Sequence, residues 1–554
     1  MINKIYSVKE KKELLPVAGI FIIFLLLCVM YWKVDYLLMV DSGREILIPS
    51  AILKKQILYR DIFNLYGPLA YYLNAFILGV FGVKLNTLYA AGAVCSLVLI
   101  YSVYGIAREF TGRLTSFLLV EAAMTLCMIT GNLHNFLFPY TFAVTYSISA
   151  YALAALFLIK YTKTGTAKFA VLASLFCGFS VACKNDFWLL PPILLFTVIS
   201  VKPLNKTNML KCAGAFLIFP LLSLSALLLQ GWRPSDFVNT CAFMKKFLTG
   251  QSFIQASVTY GMYPNPAAFL PSVVSFLKMA SISLICYLIF KIPNNFLKYF
   301  CFFCAVLLLA AFVNFSVRDS QFCYLPVLML FLLIIDFKKI YTDKPLFLLM
   351  LLALGTTPRT FFGFSVMWGY GIYTFPVLFT AFVIYISNRT GLKKFFVFWL
   401  AMLACVYSLF NAANRIIFKT DRVAGNNDCI YTATNYAIPL NSFIKYINEN
   451  TRKTDKILFY PEGSMLSYLS GRPADCNYYM LHEHFTEAAG IENVISHIRA
   501  EKTEYIAFVQ GFETPIFQKN MVHRLQFFEF VKNDYELIQS FERGKNRIDL
   551  YKLK

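Results

Sequence analysis

Between Val34 and Gly82 the chain sets acids, bases and aromatics at spacings that suit chemistry at a membrane surface: Asp41, Arg44 and Glu45, then Asp61, then Tyr66-Gly67-Pro68. A carboxylate just outside an apolar segment, as Asp41 is, can take a proton from a hydroxyl as a general base. Asp61, after Tyr59-Arg60, is a second acid of that kind, with pairing to a base as its plainer role. Asp41 also has a plainer role, that of an acid stabilised at a helix N-terminus by backbone amides and the dipole. Ser42 and Glu45 have the S-x-x-E spacing of a capping box, which predicts a helix start with Glu45 as the cap partner. Gly67-Pro68 then interrupts the helical pattern before another apolar, Tyr-rich segment.

The elements that must position these residues are membrane spans. Of the 554 residues 58% are hydrophobic, and the mean hydropathy is +0.60. Both lie far from a soluble globular composition. Apolar runs of about 20 residues recur from Leu14 to Leu409, each long enough to cross a bilayer of roughly 30 Å. Breaking the chain wherever charge interrupts them gives about thirteen spans. The formal net charge of +21 does not point to nucleic acid, because Lys and Arg concentrate in short loops. With the basic N-terminus in the cytoplasm, alternate loops carry Arg108 and Arg113, Lys160 to Lys168, Lys202 to Lys211, Lys291 and Lys298, Lys338 to Lys344, and Arg389 to Lys394. That is a positive-inside pattern. The opposite set holds 34–82, Asn132 to Tyr140, Lys184 to Asp186, Gly231 to Pro271, Arg318-Asp319 and Thr356 to Tyr370. An odd number of spans then puts everything after Asn411 outside. The expected fold is thus a polytopic α-helical membrane protein of residues 1–411 with its first external loop over 34–82. Residues 412–554 follow as a small extracytoplasmic α/β domain, read from strand-like runs at Lys456–Tyr460, Tyr505–Val509 and Arg547–Tyr551.

On the outer face, bases are disfavoured and therefore informative. Lys184, Arg318 and Arg359 each stand there, in different loops. Each has an ordinary reading, as a snorkelling anchor or the partner of an adjacent acid. Several on one face can instead hold a phosphate at headgroup depth. Arg44, Tyr66, His134, Asn135 and Tyr370 complete a candidate substrate pocket. Most of the 14 cysteines lie in apolar runs as small hydrophobes, while Cys429 and Cys476 in the tail could pair outside the cell. Cys301 and Cys304 stand at C-x-x-C spacing but inside an apolar run, so no zinc or redox motif is read there, no cofactor is assigned and a divalent metal stays open.

Asp41-Ser-Gly-Arg after one span, then Tyr59-Arg60-Asp61-Ile-Phe63 and Tyr66-Gly67-Pro68-Leu69, resembles the first external loop of GT-C type membrane glycosyltransferases. The likeness is in kind to lipid A aminoarabinose transferases and protein O-mannosyltransferases. Many relatives carry an Asp-Glu pair where this chain has Asp41-Ser42. The resemblance implies that Asp41 is the catalytic acid position and that the donor is a polyprenyl-phosphate sugar. It further implies a lipid, glycan or protein acceptor, and an active site on the extracytoplasmic side of the plasma (inner) membrane. Two other classes fit a multispan chain: an O-antigen ligase or polysaccharide polymerase, which relies on a large late loop, and a lipid-linked sugar flippase, which calls for repeat symmetry and mid-membrane ionisable groups.

Overall fold

The computed structural model describes residues 2–34, 41–129, 135–259, 266–315, 322–361, 369–426, 428–473, 478–511 and 522–554. It opens with α1 (Ile2–Tyr31), α2 (Arg44–Leu53), α3 (Pro68–Phe81), α4 (Leu85–Phe110), α5 (Arg113–Ala123), α6 (Phe142–Thr164) and α7 (Ala167–Cys183). A π-helical turn, Met124–Met128, extends α5. Among the described residues seven helices are long and apolar enough to cross a membrane, and shorter apolar helices stand between them.

The hub is α6, whose apolar stretch is 89% buried, against 17% for the helix Lys206–Gln230 at the periphery. Both are apolar all round, so hydrophobicity alone cannot tell them apart; close contacts and polar pairs do. Ser147 Oγ donates to the Ser180 carbonyl at 2.5 Å and Ser180 Oγ to that of Ser147 at 2.9 Å, joining α6 to α7. Ser149 Oγ donates to the Cys95 carbonyl at 3.1 Å, joining α6 to α4. Hydroxyls between spans find partners across the helix boundary because lipid offers none.

The loops sort to two ends of the bundle. At one end Lys163 pairs with Glu109 at 3.2 Å, Arg389 with Asp336 at 2.8 Å, and Lys344 Nζ donates to the Val201 carbonyl at 3.1 Å. At the other, the 41–82 stretch meets the segments around Tyr140, Lys184, Gln230 and Tyr373.

The last apolar helix, Lys393–Phe418, runs on past Asn411. Beyond it come a hairpin of β1 (Asp421–Gly425) and β2 (Asp428–Thr432), then β3 (Ile457–Tyr460), β4 (Tyr505–Gln510), β5 (Tyr535–Arg543) and β6 (Asn546–Leu553). The last four form a sheet in the order β3-β4-β6-β5, with β3 and β4 parallel and the other pairs antiparallel. Residues of β3 and all but the end of β4 are buried, as a strand covered on both faces requires. Asp428 ties this region to the first spans: its carboxylate accepts from Lys33 Nζ at 2.6 Å and from the Leu85 N–H at 2.9 Å. Burial works against that charge, but the bonds from Lys33, Leu85 and Tyr468 hold its pKa below the usual aspartate value. Cys429 is half-buried with a free thiol, and Cys476, its suggested partner, lies outside the described residues.

Candidate active site

The turn Asp41-Ser42-Gly43 leads directly into α2: the Arg44 N–H donates to the Asp41 carbonyl and the Glu45 N–H to that of Ser42, both at 3.2 Å. The capping box expected from Ser42 and Glu45 does not form. Gly43 is the N-cap, in helical geometry and without a side-chain cap bond. Glu45 turns away from its own helix to another. Its Oε2 accepts from the Phe142 N–H at 2.8 Å, the first amide of α6, and its Oε1 accepts from the Tyr71 hydroxyl at 3.2 Å. A carboxylate at that place satisfies an orphan amide and sits at the positive end of the dipole of α6. Burial raises the pKa of Glu45, opposed by Arg44 and the Phe142 N–H.

Arg44 is the centre of the cluster and is 4% exposed. Its Nη1 lies 2.9 Å from Asp41 Oδ1, its Nε 3.3 Å from Glu45 Oε1, and its Nη2 donates to the Tyr140 carbonyl at 2.8 Å. Burial disfavours the guanidinium charge, yet Asp41, two tyrosines and Glu45 together raise its pKa well above the ordinary value. The planar fork thus fixes the Asp41 carboxylate relative to both neighbouring segments.

Tyr66 links this cluster to a second cation. Its carbonyl accepts from the Tyr59 hydroxyl at 2.6 Å and from Asn64 Nδ2 at 2.8 Å. Its ring has the Arg44 guanidinium carbon 5.2 Å and Lys184 Nζ 3.9 Å from the centroid. Gly67 makes the approach possible: a Cβ there would stand 2.2 Å from the Ala182 carbonyl oxygen, at the end of α7. Lys184 follows α7, is fully buried, and lies 3.3 Å from Asp186 and 5.7 Å from the Tyr140 ring centroid. Tyr140 in turn packs on Tyr373 at 5.3 Å, and its N–H donates to the Tyr373 hydroxyl at 3.4 Å.

Asp61 stands apart from the cluster. It accepts from the Ile57 N–H at 2.8 Å and from Arg60 Nε at 2.8 Å, and Arg60 pulls its pKa below the usual value. It closes the turn that carries Tyr59, and through Tyr59 it supports Tyr66. Asn135 is buried, its side-chain carbonyl accepting from the Leu137 N–H at 2.9 Å. Arg359 falls in the short helix Pro358–Phe361 and Tyr370 in the turn Gly369–Thr374, just before Tyr373, with only their backbones described. His134 and Arg318 lie outside the described residues. Among the described residues no three of His, Cys, Asp and Glu converge as a metal site. Sequence reasoning passed over Tyr71; its place beside Glu45, like those of Tyr140 and Tyr373 near charged groups, is set by contacts between distant segments.

The family model of dolichyl-phosphate-mannose-protein mannosyltransferase matches residues 66–226. No curated protein matches the chain. Among solved structures, ArnT from Cupriavidus metallidurans bound to undecaprenyl phosphate is similar with a TM-score of 0.51 at 10% identity, over 96% of this chain and 98% of that one. The archaeal oligosaccharyltransferase AglB from Archaeoglobus fulgidus, in complex with an inhibitory peptide and a dolichol-phosphate, has a TM-score of 0.46 at 12% identity, over 89% of this chain and 69% of that one. The chain is thus a polytopic helical membrane protein whose fold is similar to that of ArnT and whose residues 66–226 are similar to the mannosyltransferase family.

Proposed function

We propose that this protein transfers a sugar from a polyprenyl-phosphate donor to a lipid, glycan or protein acceptor at the extracytoplasmic face. In this reading the chain crosses the membrane thirteen times, and residues 412–554 lie outside as an α/β domain. The observation that carries it is the array Asp41–Arg44–Tyr66–Lys184, one carboxylate and two buried cations along a tyrosine at the end of the spans. The ArnT fold, in a structure bound to undecaprenyl phosphate, supports the donor class.

Sugar transfer passes through an oxocarbenium-like transition state. A phosphate leaves as a weak base, so the reaction needs no general acid, only cations that stabilise the departing charge. Lys184, with Arg318 and Arg359, takes that role. Asp41, oriented by Arg44, accepts the proton of the acceptor hydroxyl as the C–O bond forms, and attack opposite the phosphate inverts the anomeric centre. Asp61 is the reserve candidate for the base, with Tyr66, His134, Asn135 and Tyr370 lining the pocket. The test is mass spectrometry of cell-surface glycans from cells carrying or lacking the wild-type protein. A sugar present only with wild type supports the reading; identical glycans refute it.

A further inference from the structure

The C-terminal region holds a buried carboxylate–imidazole pair that no step above uses. Glu462 Oε2 and His482 Nε2 are 3.0 Å apart, with side chains 2% and 3% exposed. Burying such a pair gains little stability over apolar residues of similar size, so stability alone does not account for it. The pair joins two segments: Glu462 follows β3, and His482 caps the helix Glu483–Ala489. Around it the Leu481 N–H donates to the Pro461 carbonyl at 2.7 Å, and Glu462 forms a backbone bridge with Met480. His484 stacks parallel to His482 with centroids 5.7 Å apart; burial, then the neighbouring His482, pushes its pKa down to about 3, so it stays neutral.

The turn that starts at Glu462 is the seat of the Asp41–Arg44 turn. A Cβ on Gly43 would fall 2.0 Å from the Met465 nitrogen and 2.5 Å from the Ser464 carbonyl carbon, so the two backbones touch directly. Tyr479, on the His482 side, donates its hydroxyl to the Phe63 carbonyl at 3.0 Å. Burial raises the pKa of that hydroxyl, Arg44 lowers it, and Glu462 and Glu45 raise it, so both clusters act on one group.

We propose that Glu462 and His482 are positioning residues of the active site: their hydrogen bond holds the 462–465 turn in the shape on which the Asp41–Arg44 turn is seated. The C-terminal region thereby becomes part of the catalytic apparatus.

Hydrogen exchange on full-length protein in nanodiscs tests this without any substrate, and so independently of the sugar-transfer reading. In His482→Leu, exchange over residues 41–47 should rise on the order of tenfold, the loss of one charged hydrogen bond. His482→Gln, which can still donate to Glu462, should restore protection, and Gly43→Ala should loosen the same peptide without touching the pair. Peptides around Lys33 and Asp428 serve as the control for docking and should not change. Wild-type exchange over 41–47 in folded His482→Leu overturns the proposal. Equal loosening in the control peptides, or no rescue by Gln, also overturns it, since either would mark a general structural role. Where sugar transfer is measurable, which rests on the proposed function, His482→Leu should lower kcat with undecaprenyl phosphate binding retained.

Discussion

Lys184 Nζ lies 3.9 Å from the centroid of the Tyr66 ring, and the Arg44 guanidinium carbon lies 5.2 Å from the same centroid. One aromatic ring thus spaces two buried cations that would repel each other in direct contact. Tyr66→Leu removes the shared ring. It should weaken undecaprenyl phosphate binding by about 0.5–2 kcal/mol, the range of a cation–π contact. Lys184→Ala should weaken it more, by roughly 1.5–3 kcal/mol. Titration of nanodisc-held variants checks the order; a Lys184→Ala protein that binds like wild type removes Lys184 from the donor site.

Asp41→Asn keeps the shape of the side chain and can still bond Arg44, but it cannot accept a proton. Turnover should fall about 10²–10⁴-fold, with donor binding retained. Normal turnover in a folded Asp41→Asn protein would move the base to Asp61.

Stability should depend on pH through His484. Its folded pKa of about 3 lies below the ordinary 6.5, so between these values the unfolded chain binds the extra proton. Stability is therefore full above 6.5 and is lost as pH falls toward 3, by no more than about 1.4 kcal/mol per unit. His484→Phe should flatten that limb in thermal melts of the full-length protein. An unchanged slope assigns the acid sensitivity to other groups.

A reporter that works only in the cytoplasm, fused after Lys554, should be silent. Strong activity would place the C-terminal region, and with it the Asp41 turn that packs against it, on the cytoplasmic side.

The polytopic helical character was legible because about 20 consecutive apolar residues have few other uses, although among the described residues seven helices reach spanning length, against the thirteen spans read from charge breaks. Lys184, singled out in the sequence as a base between spans, is indeed buried, beside Tyr66. Glu45 was misread because S-x-x-E spacing reports only on its own helix, whereas the amide it caps belongs to Phe142, 97 residues further on. The burial difference between α6 and Lys206–Gln230 was likewise invisible, since composition is nearly uniform around both helices and only neighbours decide which is covered.

Asp428 gives the molecule an order of events. Lys33 and the Leu85 N–H wait for a carboxylate that is 343 residues downstream of Leu85. At 5–20 residues per second that gap is roughly 17–70 s of synthesis. Gly43 likewise meets Met465 only once synthesis has passed residue 465, well into the last quarter of the chain. A nascent chain can thus thread its early spans while the Asp41 turn still lacks the backbone it rests against, so a product that stalls before residue 464 carries Asp41 and Arg44 without that support.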